Sequence, residues 1–184
     1  MMTEDFIVLD GGLGGELIRR GWPRGGLWSA KALVEQPEII RSVHDDYINA
    51  GARVIITNTY STIPSYLDKS GMGESYLEFT ERAGRIAREA ADESGFDVKV
   101  AASIPPLSES YRPDLVPEAE VALPIYEAMA ACLAPFADIY LCETMSSIQE
   151  SKNAVTAIRS ANQTIPIWVA WTLKDQPGAG LRSG

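Results

Sequence analysis

The sequence predicts an α/β protein built on a parallel sheet, and three observations carry that prediction. Short, wholly apolar runs of strand length alternate with longer segments of helical periodicity along the 184 residues. The apolar runs lack polar alternation, which suits strands covered by helices. Each pair of runs is separated by enough chain for a crossover helix, and such alternation gives parallel strands joined by right-handed connections.

The elements follow in order. Residues 6–9, Phe-Ile-Val-Leu, form the first expected strand, stopped by Asp10-Gly11-Gly12. Over Pro37–Asn49 the residues Ile39, Ile40, Val43 and Tyr47 recur at helical spacing, and Gly51 stands where a C-terminal cap belongs. The second strand is expected at 54–57. A helix follows over 74–94, with Phe79, Ala83, Ile86, Ala87 and Ala90 on one face and Gly95 closing it. The third strand is expected at 98–102, and a proline-containing stretch occupies 103–117. The next helix is expected near 123–133, with Tyr126, Met129, Ala130 and Leu133 on its face and Pro135 at its end. A fourth strand at 137–142 leads to Ser147-Ile148-Gln149-Glu150, whose capping-box spacing starts a helix that runs to Ser160. Ile167–Trp171 is the fifth strand, before a Gly/Pro-rich tail. Five β/α steps suit either an open doubly wound sheet or part of a barrel, and composition does not choose between them.

Length and composition bound the function. A chain of 184 residues, 46% hydrophobic and 22% charged, fits one domain with a real core. Sixteen basic against 25 acidic residues, net −9, leave no Lys/Arg block to neutralise a polyanion, which argues against nucleic-acid binding. No apolar run approaches the ~20 residues of a membrane span. The acidic start, Met1-Met2-Thr3-Glu4-Asp5, has no cationic, apolar leader. Two cysteines, Cys132 and Cys142, make no disulfide scaffold, so a cytoplasmic location is expected.

In either α/β architecture the chemistry belongs at the C-terminal ends of the strands. The first such loop, Asp10-Gly11-Gly12-Leu13-Gly14-Gly15, fails the dinucleotide fingerprint because its third glycine would fall at Leu17, and it has no P-loop Lys-Ser/Thr pair. Its glycines let backbone amides approach a ligand, and a helix opening near Glu16 offers its positive end to an anion; a plain strand-to-helix turn explains the residues equally well. Asp10 and Glu143 each end an apolar strand. Two carboxylates at one mouth could bind an ammonium group or do acid–base work, or each could cap a local turn or helix. His44, the lone histidine, sits within a helix and reads as a packed structural residue. Cys132 reads as a core thiol, and strand alternation turns Cys142 away from the face that Glu143 uses. No ligand spacing for a zinc site is present, and no nucleophile pairs with the histidine.

Taken together, the strand-end residues resemble the homocysteine S-methyltransferase family. The resemblance begins at Leu9-Asp10-Gly11-Gly12-Leu13-Gly14 with Glu16-Leu17. It continues through Leu27-Trp28-Ser29-Ala30-Lys31, Pro37-Glu38, Val43-His44 and Ala50-Gly51-Ala52, then Ile55-Ile56-Thr57-Asn58-Thr59-Tyr60 and Cys142-Glu143-Thr144. The Leu-Trp-Ser-Ala-Lys segment is most similar to the branch that uses S-methylmethionine or S-adenosylmethionine.

What the resemblance implies is a (β/α)8 TIM barrel, of which this chain covers about the first five β/α units as a single domain over 1–184, incomplete at its C-terminus. It implies methyl transfer from a sulfonium donor to the thiol of homocysteine, giving methionine. It further implies that Asp10 and Glu143 hold the substrate's amino group, with Gly11, Asn58, Thr59 and Tyr60 lining the same pocket. The family binds zinc through three cysteines in Gly-x-Asn-Cys and Gly-Gly-Cys-Cys motifs. Neither motif is present, so no residue here is assigned as a metal ligand. The alternative is a non-catalytic partial barrel that binds an amino acid or a partner chain. An unpaired strand at Trp168, Val169 and Trp171 would favour self-association.

Overall fold

The computed structural model describes residues 6–25 and 27–183. Four parallel strands, β1 (Val54–Ile56), β2 (Lys99–Ile104), β3 (Ile139–Met145) and β4 (Ile167–Trp171), lie side by side in chain order. Around them run α1 (Leu13–Arg19), α2 (Trp28–Glu35), α3 (Pro37–Asn49), the single turn α4 (Pro64–Leu67), α5 (Tyr76–Glu93), α6 (Ala119–Leu133) and α7 (Ile148–Ala161). The strand order never reverses. A doubly wound sheet has a switch point where it does, so this sheet is wound as a barrel wall is.

The pleat explains why the strand runs are apolar throughout. On one face Ala102, Ile104, Tyr140 and Cys142 pack against Tyr126, Met129 and Leu133 of α6 and Ala154 and Ile158 of α7. On the same side Ile55 and Val100 meet Ala87 and Ala90 of α5. The other face carries Val54, Ala101, Ile139 and Leu141, with Ile56 beside them. A third cluster joins Leu17, Leu33, Ile40 and Val43 of α1, α2 and α3 to Phe79 of α5. Among the described residues no helix is long and apolar enough to cross a membrane.

Several elements differ from the sequence reading. The strand expected at 6–9 is reduced to one bridge, Leu9 to Val54, reinforced by Arg53 N donating to Val8 O at 2.8 Å and Asp10 N to Val54 O at 2.9 Å. The described partner lies on one side only, and Phe6 and Ile7 stand 80% and 62% exposed. Helix α6 starts at Ala119, ahead of the expected 123, and Pro124 lies inside it where proline ordinarily marks a helix boundary. Strand β3 runs on to Met145, so Glu143 sits within the strand. Its register against β4 shifts between Cys142 and Met145, and Thr144 adopts φ 58°. Helix α1, expected to open near Glu16, starts at Leu13, and α2 went unread because it is short. Helix α3 has the expected bounds, and Ser147 caps α7 by accepting from Glu150 N at 3.0 Å. The Glu150 carboxylate reaches Ser146 N and Oγ, at 2.7 and 2.9 Å, one residue beyond the capping-box partner.

Candidate functional site

The C-terminal ends of the strands open into a cavity of about 650 Å³. Asp10 reaches it from the end of the bridged segment, Asn58 and Tyr60 from the turn after β1, and Glu143 with Thr144 from the irregular end of β3. A bulge places two successive residues on one face, which is how Glu143 and Thr144 both line the wall. Gly11 lines it too. A Cβ there would lie 2.8 Å from the Tyr47 hydroxyl, and one at Gly14 would lie 2.7 Å from the Trp28 indole, so the glycine turn must stay bare to let these rings close in.

The two carboxylates dominate the electrostatics. Asp10 Oδ2 accepts from Ile56 N at 2.8 Å, which fixes the side chain, while its Oδ1 is buried with no hydrogen-bond partner. Burial, with Glu143 nearby, pushes the Asp10 carboxyl up to about 7. Burial also raises Glu143, opposed by Ser103 Oγ, which donates to Glu143 Oε1 at 2.5 Å. No lysine, arginine or histidine is among the lining residues. Neither carboxylate is used up by a local cap: Ser147 caps α7, and Asp10 gives one oxygen to the backbone and keeps the other. Such a pair suits a ligand that brings its own positive charge and donors.

Asn58 lines the cavity while its Nδ2 donates to Ser29 O at 3.0 Å, tying the β1 turn to the start of α2. The Tyr60 hydroxyl lies 2.6 Å from Ser110 Oγ, and burial raises its pKa. Thr59 departs from expectation. It is fully buried and off the cavity wall, with its hydroxyl turned inward to donate to Ser103 O at 2.6 Å. Ser103, Trp28, Ser110, Tyr111 and Thr144 belong to the site or its support and were not singled out. For Ser103 a signal existed, as the lone hydroxyl in the apolar run 100–104.

The remaining candidates lie elsewhere. His44 is fully buried in α3, and burial lowers it to about 4, so it is neutral. Cys142 is buried against the helices with its thiol pushed up to about 12, while half-buried Cys132 donates weakly to Leu77 O at 3.5 Å. Neither thiol lines the cavity, and among the described residues no three His, Cys, Asp or Glu side chains cluster to hold a metal.

A parallel sheet wound in one direction, with its cavity at the C-terminal mouth, defines a barrel-type α/β protein. More narrowly, the chain belongs to the homocysteine S-methyltransferase family, whose sequence model matches residues 7–184. A homocysteine S-methyltransferase of Escherichia coli (strain K12) is 32% identical over 187 residues, covering 94% of this chain and 60% of that protein. One from Bacillus subtilis (strain 168) is 31% identical over 191 residues with the same coverages, 94% and 60%. The metallated form of the E. coli homocysteine methyltransferase MmuM superposes with a TM-score of 0.85 at 30% identity, over 99% of this chain and 67% of that one. The chain thus spans about 60% of the length of the curated relatives it matches.

Proposed function

We propose that the cavity binds homocysteine by its amino-acid end, as part of a transfer of a methyl group from a sulfonium donor, S-methylmethionine or S-adenosylmethionine, to the homocysteine thiol. One observation carries this reading: Asp10 and Glu143 face one cavity that offers them no cation, and Asp10 holds back a buried, unpartnered oxygen. An α-ammonium supplies the missing charge and up to three donors. The bare backbone at Gly11 and the first N–H groups of α1, which have no acceptor within the helix, suit the α-carboxylate. Asn58 and Tyr60 complete the wall. Membership of the family supports the substrate class, and the compartment we propose is the cytoplasm, consistent with two free cysteines.

The zinc that the resemblance implies finds no home in these residues. Cys142 is turned to the helices and Cys132 stands on α6, so no thiolate set converges on the cavity, and we assign these residues no step in activating the homocysteine thiol. That observation favours a second reading for these 184 residues, in which they bind the amino acid without turning it over. Calorimetric titration of L-homocysteine tests the binding, and turnover with S-methylmethionine, with and without zinc and a chelator, separates the two readings. Absence of any binding would remove the assignment.

A further inference from the structure

We propose that Ser103, which does not line the cavity, is a positioning residue: its hydroxyl aims the Glu143 carboxylate at the ligand's ammonium group. The inference rests on the amino-acid site proposed above and adds to it a residue that touches no ligand.

Ser103 lies on β2, opposite Leu141 of β3, and the pleat puts it on the face that carries Ala101. It is fully buried, and its Oγ donates to Glu143 Oε1 at 2.5 Å. Glu143 Oε2 has no hydrogen bond among the described residues. One oxygen is therefore gripped from below, and the other is left for a ligand.

The grip is rigid because the backbone of Ser103 is locked by a ring of hydroxyls. Thr59 Oγ1 donates to Ser103 O at 2.6 Å, which uses its only proton. In the 2.9 Å contact between Thr57 and Thr59, Thr57 must therefore be the donor. Thr57 Oγ1 then accepts from Ser103 N at 2.9 Å and closes the ring. All three members are buried. The ring accounts for Thr59, which sequence analysis placed in the pocket and the structure places behind it. It uses only the backbone of Ser103, so the side-chain hydroxyl can be removed with the ring intact.

The donor also bears on charge, although burial is the larger influence. A hydrogen bond to an ionised carboxylate favours that form, and Ser103 is the group that opposes the upward push of burial on Glu143. The other titratable groups in the cavity wall are Asp10, Tyr60 and Tyr111, none of them cationic.

The test compares Ser103→Ala, which deletes the donor, with Ser103→Thr, which keeps it. Titration of L-homocysteine into each, from acid to alkaline pH, is paired with a melting curve and with carbon NMR of the carboxyl-labelled glutamates. Ser103→Ala should weaken binding roughly ten- to a hundredfold, the range of a hydrogen bond to a charged group. Its Glu143 resonance should titrate at higher pH and its melting temperature should move little. Ser103→Thr should bind within about threefold of the parent, on the same pH profile. Parent-like affinity and an unmoved Glu143 titration in Ser103→Ala, while Glu143→Gln loses binding, would overturn the role of Ser103 and leave the site standing. Parent-like affinity in Glu143→Gln as well would overturn both. An equal loss in Ser103→Ala and Ser103→Thr, with lowered melting temperatures, would reduce Ser103 to a packing residue and reject the proposal.

Discussion

Replacing Asp10 by Asn should strengthen the fold while it weakens the site. Asp10 titrates at about 7 in the folded chain against an ordinary 3.8. At about 1.36 kcal/mol per pH unit, ionising it in the empty cavity costs roughly 4 kcal/mol more than ionising it in water. The sign follows from the raised value: the penalty is absent at pH 4 and below, grows as pH rises, and levels off above about 7. Asn keeps the acceptor for Ile56 N and removes the charge. Its amide then takes the place of the unpartnered Oδ1, where a neutral amide costs less than a desolvated charge. Allowing for water entry and imperfect pairing, Asp10→Asn should gain about 2–4 kcal/mol at pH 8, or about 4–16 °C in melting temperature for a chain of this length, and almost nothing at pH 4. The same variant should lose homocysteine binding by roughly ten- to a hundredfold. Thermal melts at both pH values, with calorimetric titration, provide the assay. A variant less stable than the parent at pH 8, with unchanged affinity, would mean that Asp10 serves the fold and not a ligand.

Further outcomes follow from the same geometry. Glu143→Gln should weaken homocysteine binding roughly ten- to a hundredfold by calorimetry, with the helix cap at Ser147 intact and little change in melting temperature. Binding should release protons at neutral pH, because an ammonium group holds Asp10 ionised where it is otherwise about half protonated; titrations in buffers of different ionisation enthalpy measure this, and affinity should rise with pH up to about 7. The 184 residues alone should not methylate homocysteine at an enzymatic rate, and turnover with S-methylmethionine that is abolished by a chelator and restored by zinc would contradict this. Trp168 and Trp171, 36% and 47% exposed on β4, should make the isolated chain self-associate in light scattering, and Trp168→Lys should reduce it.

The sequence showed most where a local signal and the tertiary fold agree. Helix α3 was legible to the residue because Pro37 starts it and Gly51, at φ 112°, ends it. Strand β4 was legible because its apolar run is bounded on both sides. The start of α6 was hidden by Pro124, an exposed proline that lies inside the helix where proline ordinarily marks a boundary. The 6–9 run looked like a strand because its residues favour one, yet strand pairing is a property of neighbours. At the candidate site, Asp10 and Glu143 were legible as carboxylates that follow apolar runs, although Glu143 lies within β3 and Asp10 follows a single bridge. Thr59 was misplaced because the alternation beyond β1, where the chain leaves the sheet, cannot be counted from sequence. The role of Ser103 depends on an oxygen across the sheet, and no local pattern reports that.

The central claim is that the two carboxylates recognise an ammonium group, and one comparison tests it most directly. L-Homocysteine and its deamino analogue, a sulfanylbutanoic acid, share the thiol and the carboxylate and differ at the α-amino group alone. Calorimetric titration of both at pH 8 should show the analogue binding at least about a hundredfold more weakly, since it leaves two half-buried carboxylates at one cavity without a cation. Equal affinity for the two ligands would contradict the account.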